Sequence, residues 1–265
     1  MSTTTGASET VDQETALELR TAQAHGTSWL GWLVQPAVIV AMLVGVVIYV
    51  QTAKLGTVEA RALSLDSVRR LTVQHIQVSF MAAALVVVIA VPVGILLTRS
   101  FAKRGTPFVI AFANAGQAIP SIGLLVLLAL WWKTGFWTAV LALTIYGILP
   151  SLRNTIVGLQ QVDQRLVEAG RGMGMSAVRV LGRVELPLAV PVILTGVRVS
   201  LVLIVGTAAL ATFVGAGGLG GLVVTGINLG RGNVLIVGAI LIAALALLID
   251  WLGRVVEEIA RPKGL

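Results

Sequence analysis

The chain has 265 residues, 57% of them hydrophobic and 12% charged, with a mean hydropathy of +0.95; a soluble domain carries about 25% charged residues, so a water-soluble globule is excluded. The formal charge of +7 comes from basic residues gathered beside apolar segments, as in a membrane protein, and no solvated fold is left over to carry a nucleic-acid-binding stripe. Cysteine is absent, which removes disulfides, thiol catalysis and cysteine metal sites, and the two histidines, His25 in a polar tail and His75 at a helix entrance, make no metal pair.

Residues 1–28 are rich in Thr, Ser, Ala, Gln and Glu and offer no wide apolar face, so a disordered tail is expected there. They do not read as a signal peptide. The first basic residue is Arg20, and the apolar stretch that begins near Trp29 is long enough to remain as an anchor. A helix crosses the hydrocarbon core with about 20 mostly apolar residues. The candidate spans are 30–50, 76–97, 107–130, 136–149, 187–213 and 234–255. The fourth is short and continues toward Gly158 with a bend at Pro150. Trp29, Trp32 and Tyr49 flank the first span, and Trp131, Trp132 and Trp137 separate the third from the fourth, as interfacial aromatic belts do. The expected fold class is an all-α membrane protein of about six transmembrane helices, with residues 29–265 as one domain.

Both termini are expected on the cytoplasmic side. That orientation puts twelve Lys and Arg inside and six outside, with Arg198 within a span. The first loop runs against the bias, placing Lys54, Arg61, Arg69 and Arg70 outside against Arg20 alone in the tail. It would be cytoplasmic if the first span only lay in the interface.

In the third span, Ile119-Pro120-Ser121 predicts a break, because Pro120 removes a helix hydrogen bond and such a break is tolerated where backbone meets protein or water. Two readings stand. Asn114, Gln117, Pro120 and Ser121 line a translocation path, or Pro120 is a packing kink whose freed carbonyl Ser121 satisfies.

Residues 163–184 are too charged for the bilayer, with Asp163, Glu168, Arg165, Arg171, Arg179 and Arg183. Val162, Leu166, Ala169 and Met173 recur at helical spacing, and Gly170, Gly172 and Gly174 then weaken the helix. A helix, a Gly/Met turn and a second helix from Ser176 to Arg183 are expected, with Ser176 as its cap. Leu186-Pro187 ends that element and starts the fifth span. Within that span Arg198 needs a partner, and Asp250 near the end of the sixth is the candidate. Residues 215–221 are glycine-rich, but no strand precedes them and no Lys-Ser/Thr follows, so they are not a phosphate cradle. They form either a plain turn or a hinge made by Gly215, Gly217, Gly218 and Gly220. No Ser/His/Asp, Cys/His or paired-carboxylate constellation occurs, so no catalytic residue is assigned.

The order Glu168-Ala169-Gly170, three residues, Gly174, nine residues, Val184, one residue, Leu186-Pro187 resembles the coupling loop of bacterial ABC-importer permeases. Gly170 stands where that pattern has a second Ala. The wider stretch 116–226 is similar to the permeases for glycine betaine, choline, carnitine and related osmoprotectants. Gln117-Ala118-Ile119-Pro120-Ser121, Leu149-Pro150-Ser151-Leu152-Arg153-Asn154-Thr155, residues 168–175 and 184–191, and Gly215-Ala216-Gly217-Gly218-Leu219-Gly220 carry that similarity.

The resemblance implies the type I ABC importer permease fold in the bacterial inner membrane, with 163–184 as a cytoplasmic coupling loop. Glu168 then makes polar contacts in a groove of a nucleotide-binding subunit, Ala169 and Gly170 allow close approach, and Gly174 forms the turn. Met173 and Met175 supply adaptable apolar contacts, and Leu186-Pro187 closes the element. The implied partners are two ATP-binding subunits, a second permease (identical or related), an extracytoplasmic substrate-binding protein and the lipid bilayer, with no nucleic acid. ATP and magnesium belong to the partner ATPase, and this chain binds no cofactor. The spans offer few aromatics for a quaternary-ammonium cage beyond Phe80, Phe108, Phe112, Tyr146 and Phe213, so cargo affinity is expected in the binding protein. The rival readings are a permease for methionine or another small polar solute, a secondary transporter, a membrane scaffold, and a basic loop that merely lies on lipid headgroups.

Overall fold

A segment immersed in lipid must satisfy its own N–H and C=O groups, so long apolar runs fold as helices. The computed structural model describes residues 29–260; the expected tail over 1–28, with its His25, and residues 261–265 lie outside the described residues. The helices are α1 (Trp29–Thr52), α2 (Thr57–Ala62), α3 (Leu65–Thr98), α4 (Thr106–Ala118), α5 (Ser121–Trp131), α6 (Phe136–Gln160), α7 (Gln164–Gly172), α8 (Ala177–Val180), α9 (Leu186–Thr207), α10 (Gly220–Asn228) and α11 (Gly232–Ala260). No strand occurs among the described residues. Five helical stretches are long and apolar enough to cross a membrane, and a sixth is reached if the bent pair α4–α5 counts as one span.

Several boundaries differ from the sequence reading. The second span begins at Leu65, not near 76, because Ser64 caps it by accepting the Ser67 N–H at 3.4 Å. His75 is therefore not at a helix entrance but inside α3, where it is buried. The fourth span continues past Pro150 as expected, and α6 runs for 25 residues to Gln160. Leu186-Pro187 does not end the segment before it. One helical rod runs over Ala177–Val214 through a π turn at Leu181–Glu185. After the glycine loop, a short helix, α10, packs beside α11 instead of a simple turn.

The core sits where α6 lies against α3 and α9, around Ala82, Val86, Ala139, Val140, Leu143 and Ile204. Apolar packing drives no association between helices already in lipid, so close backbone approach has to supply the contact. At Gly196 of α9 an added Cβ would fall 2.5 Å from Asn154 Cβ and 2.9 Å from Pro150 O. Only a glycine lets α9 reach α6 there.

Helix α1 is peripheral, with Leu33, Val34, Val40 and Ile48 more than half exposed. Polar pins hold it on α11. Gln35 Nε2 donates to Leu247 O at 2.9 Å and to Asp250 Oδ2 at 3.0 Å, and Tyr49 donates its hydroxyl to Asn233 Oδ1 at 2.6 Å. Pro36 has no N–H for the carbonyl of Trp32 four residues earlier, and the Trp251 indole N–H donates to that oxygen at 3.3 Å instead.

Candidate functional site

The charged segment after α6 is a helix, a tight turn and the start of the long rod. Asp163 opens α7 by accepting the Arg165 N–H on its side chain at 2.8 Å. The helix closes with two backbone bonds, from Met175 N–H to Gly170 O at 3.1 Å and from Gly174 N–H to Arg171 O at 2.9 Å. That pairing defines the Schellman motif and demands a left-handed residue; Gly174 supplies it with φ +80°.

Val167 and Gly170 face inward, and Val167 joins Leu159, Val162, Val180, Ala189 and Ile193 in a small apolar core. A Cβ at Gly170 would meet Val180 Cγ2 at 3.4 Å and Met175 Sδ at 3.6 Å. Gly170 therefore lets the hairpin fold on itself and does not present bare backbone outward. Glu168 and Ala169 are exposed, together with Leu166, Met173 at 72% and Val178 at 80%. An apex that shows apolar side chains among Glu168, Arg165, Arg171 and Arg179 has the make-up of a protein-contact surface. Val178 escaped the sequence reading, because a valine two places into a short helix gives no signal of which way it faces. Leu186 is half-buried and Pro187 exposed.

Because Pro187 has no N–H, the carbonyl of Arg183 loses its α-type donor. The chain adjusts by the π turn, in which Leu186 N–H reaches back to Leu181 O. Glu185 in this turn is buried. Its carboxylate takes a fork from Arg99 at the end of α3, with Nη1 to Oε1 at 3.3 Å and Nη2 in close contact with Oε2.

At the break in the third span, Ile119 (ψ 130°) and Pro120 (ψ 127°) are both extended, and α4 and α5 meet at 93°. The carbonyl of Pro120 accepts the Leu124 N–H at 3.0 Å. Asn114 is exposed, and its Oδ1 accepts from Arg153 Nη2 at 2.8 Å. Gln117 Nε2 donates to Tyr146 O at 2.9 Å. Tyr146 lies four residues before Pro150 and so lacks a helical donor; the Gln117 amide takes that place. Ser121 is half-buried and Pro120 exposed. Beside these residues an apolar cavity of about 360 Å³ opens between α3, α4 and α6, lined by Val93, Phe112, Gly116, Ile145 and Ile148.

The glycine loop is held rather than free. Gly215, Gly217 and Gly218 have φ of +75°, +77° and +99°. Thr212 donates its hydroxyl to Gly217 O at 3.0 Å, and Gly218 N–H donates to Gln74 Oε1 at 3.2 Å. Gly220 is helical, but an added Cβ would fall well inside contact distance of Ala209 O. His75 Nε2 lies 2.9 Å from Val205 O, in the last turn of α9, so that nitrogen carries the proton and donates to a carbonyl beyond the helical ladder.

Arg198 pairs with Asp250 at 3.5 Å, as the sequence suggested, and also with Glu257 at 3.4 Å. Glu257 accepts from Thr195 Oγ1 at 2.5 Å, and Asp250 pairs with Arg254 at 3.0 Å. Sequence reasoning missed Glu257 and Gln35, whose spacing from Arg198 carries no local signal. No group of metal-binding side chains occurs among the described residues.

The family model of binding-protein-dependent transport system inner membrane components matches residues 90–261. The glycine betaine/carnitine/choline transport system permease protein OpuCB of Bacillus subtilis is 40% identical over 194 residues, 73% of this chain and 88% of the relative. The carnitine transport permease protein OpuCD of Listeria monocytogenes is 42% identical, over 71% and 84% of the two chains. The osmoprotectant import permease protein OsmW of Salmonella typhimurium is 38% identical, over 74% and 92%. Among solved structures, a chain of the inward-facing MetNI methionine ABC transporter superposes with a TM-score of 0.65 at 26% identity, over 74% of this chain and 96% of that one.

Proposed function

The chain belongs to the family of binding-protein-dependent transport system inner membrane components, and from that premise we propose that it is the permease subunit of an ATP-driven osmoprotectant importer. It is a multi-pass inner-membrane protein with the ABC importer permease fold. The observation that carries the proposal is the apex of residues 166–178. Glu168, Met173 and Val178 stand exposed there, on a hairpin whose second arm, from Ala177, is the start of the rod that becomes α9. A push at that surface reaches the membrane helices through the hydrogen-bonded turn at Gly174 and the rod.

In this reading both termini and the apex are cytoplasmic, and one ATP-binding subunit docks on the apex of each of two permease subunits. The pair is a homodimer or includes a related permease, since one bundle cannot enclose a path symmetrically. A substrate-binding protein delivers cargo from the opposite side. ATP and magnesium are held by the ATPase subunits, and this chain contributes no hydrolytic group. ATP binding drives the outward-facing state only through contacts that differ between the two states. The cargo is a small zwitterionic or quaternary-ammonium osmolyte such as glycine betaine, choline, carnitine or proline betaine. That assignment rests on relatives at 38–42% identity whose names carry glycine betaine, carnitine and choline, or osmoprotectant import. A second reading, a methionine permease, draws on the likeness to the methionine transporter at 26% identity.

The test is ATP-dependent uptake of glycine betaine into vesicles holding this chain, its ATPase and its binding protein, beside a Glu168→Lys variant checked for insertion. Uptake by the wild type, lost in the variant along with ATPase docking, is the expected result. ATPase activity that depends on Glu168 without betaine uptake rejects the cargo and keeps the importer. Failure to associate with any ATPase sinks the coupling assignment.

A further inference from the structure

Glu185 is 7% exposed, whereas Arg165, Glu168, Arg171, Arg179 and Arg183 around it all face outward. Its partner is 86 residues away in sequence. The Arg99 guanidinium meets the carboxylate with two nitrogens, and its third, Nε, turns back onto α3, to Ile95 O at 3.4 Å and Thr98 Oγ1 at 3.2 Å. All three nitrogens are engaged, so the fork is fixed in direction. A buried ion pair is a weak source of stability, since two well-packed apolar residues do as well or better. What a bidentate Arg–carboxylate contact adds is a defined geometry between the two elements it joins.

Those elements are α3 and the π turn at the foot of α9. The same two helices are pinned again at their other ends, where His75 of α3 donates to Val205 O of α9. They run antiparallel, from His75 to Arg99 and from Glu185 to Val205, over about 35 Å and 30 Å at 1.5 Å per residue. Two rods joined at both ends form a closed frame. Its far end also carries the glycine loop, through the bond from Gly218 N–H to Gln74 Oε1.

From this geometry we infer that Arg99 and Glu185 are positioning residues for energy coupling: their ion pair makes α3 move as one body with α9 when the 163–184 segment is displaced. The inference rests on the reading of the chain as an ATP-coupled permease. Without the strut, the segment still docks and drags α9, while α3 and the far-side loop lag behind.

The chain has no cysteine, so introduced cysteines report cleanly. Phe101 is 77% exposed, and Gly182 is exposed with nothing within 4 Å of an added Cβ; the two stand on opposite sides of the strut, and neither lies on the apex of residues 166–178. In the assembled transporter, spin labels at F101C and G182C are measured with and without bound ATP, in wild type, Glu185→Gln, Arg99→Lys and the exchanged pair R99E/E185R. The wild-type separation is expected to stay constant between the two states. In Glu185→Gln and Arg99→Lys it shifts or broadens with ATP, and the exchanged pair restores it. Solute imported per ATP hydrolysed falls at least about fivefold in the single variants, with ATPase docking retained.

A wild-type separation that changes with ATP overturns the inference. So does a Glu185→Gln variant with unchanged separation and coupling ratio, or loss of assembly in all three variants. A wild-type complex that imports nothing with ATP sinks the importer reading instead, while its label distances still decide whether α3 follows the segment.

Discussion

Replacing Gln117 with Leu removes the donor that the structure gives to Tyr146 O. The bond is 2.9 Å long and part-buried, and Pro150 leaves that carbonyl without a helical partner. Stranding a buried acceptor costs about 1–3 kcal/mol. The cost should vanish where the carbonyl has another donor, and Pro150→Ala provides one by returning an N–H four residues on. Gln117→Leu is therefore expected to cost about 1–3 kcal/mol with Pro150 in place and under about 0.5 kcal/mol in the Pro150→Ala background. The interaction energy between the two sites is then at least about 0.5 kcal/mol, about a twofold or greater difference in unfolding equilibrium. The assay is reversible unfolding of the four proteins in mixed lipid–SDS micelles. Additive costs, or a neutral Gln117→Leu beside Pro150, would refute the assignment. If Gln117 lines the translocation path instead, uptake falls in both backgrounds with no energetic coupling to position 150.

The remaining predictions concern close approaches and charge. Gly220→Ala should abolish the folded, monodisperse protein, because the new Cβ collides with the backbone oxygen of Ala209. Gly221→Ala, whose nearest atom lies at 3.7 Å, should elute normally on size exclusion. Gly174→Ala should cost about 1–2 kcal/mol for the left-handed backbone alone, since nothing lies within 4 Å. Gly170→Ala should stay within about 0.5 kcal/mol of wild type and keep ATPase docking; a docking defect without a stability change would place Gly170 at the partner surface after all. Arg198→Gln should destabilise more than Arg254→Gln, measured by the same unfolding assay. Arg198 is 21% exposed and pairs with both Asp250 and Glu257, whereas Arg254 is 45% exposed and pairs with Asp250 across one turn of the same helix. An exposed pair of that second kind is worth about 0–1 kcal/mol. Exchanging Arg198 and Asp250 should restore only part of the loss, because Glu257 then faces an aspartate.

The features that sequence carried well are those with local causes. Pro120 had to break its helix, and it does, with a right-angled bend. The glycine after an amphipathic turn marked the close of α7, and Gly174 takes that role through its positive φ. Local rules overreached where tertiary contacts repair a defect. Past Pro150 α6 continues, and what the sequence did not show is the repair: the Gln117 amide satisfies the orphaned carbonyl of Tyr146. Leu186-Pro187 looked like a terminus, but one π turn absorbs the missing N–H and the rod runs on. Arg198 and Asp250 were paired from the rarity of charge in the spans. Glu257, Gln35 and the Arg99–Glu185 fork stayed hidden because nothing in a linear pattern says which distant helix faces which. The split of the apex into inward Gly170 and outward Met173 and Val178 also needed coordinates, since it depends on how the hairpin folds back on Val180.

The π turn also fixes an angle. An α-helix advances about 100° per residue, and a π turn is a place where one surplus residue is taken up within a continuous helix. Gly182 sits in that turn with open space around it, so its deletion would let the rod close into regular α-helix. Because the surplus residue is absorbed inside the turn, Leu186 would stay above Leu181 as an ordinary α-helical neighbour, and the two flanks of the rod would keep nearly the same azimuth. Glu168, Met173 and Val178 would go on facing outward. The π turn thus acts as a register buffer: losing its surplus residue leaves the docking face where it is, whereas losing a residue from the regular helix of α9 would turn that face by about 100°.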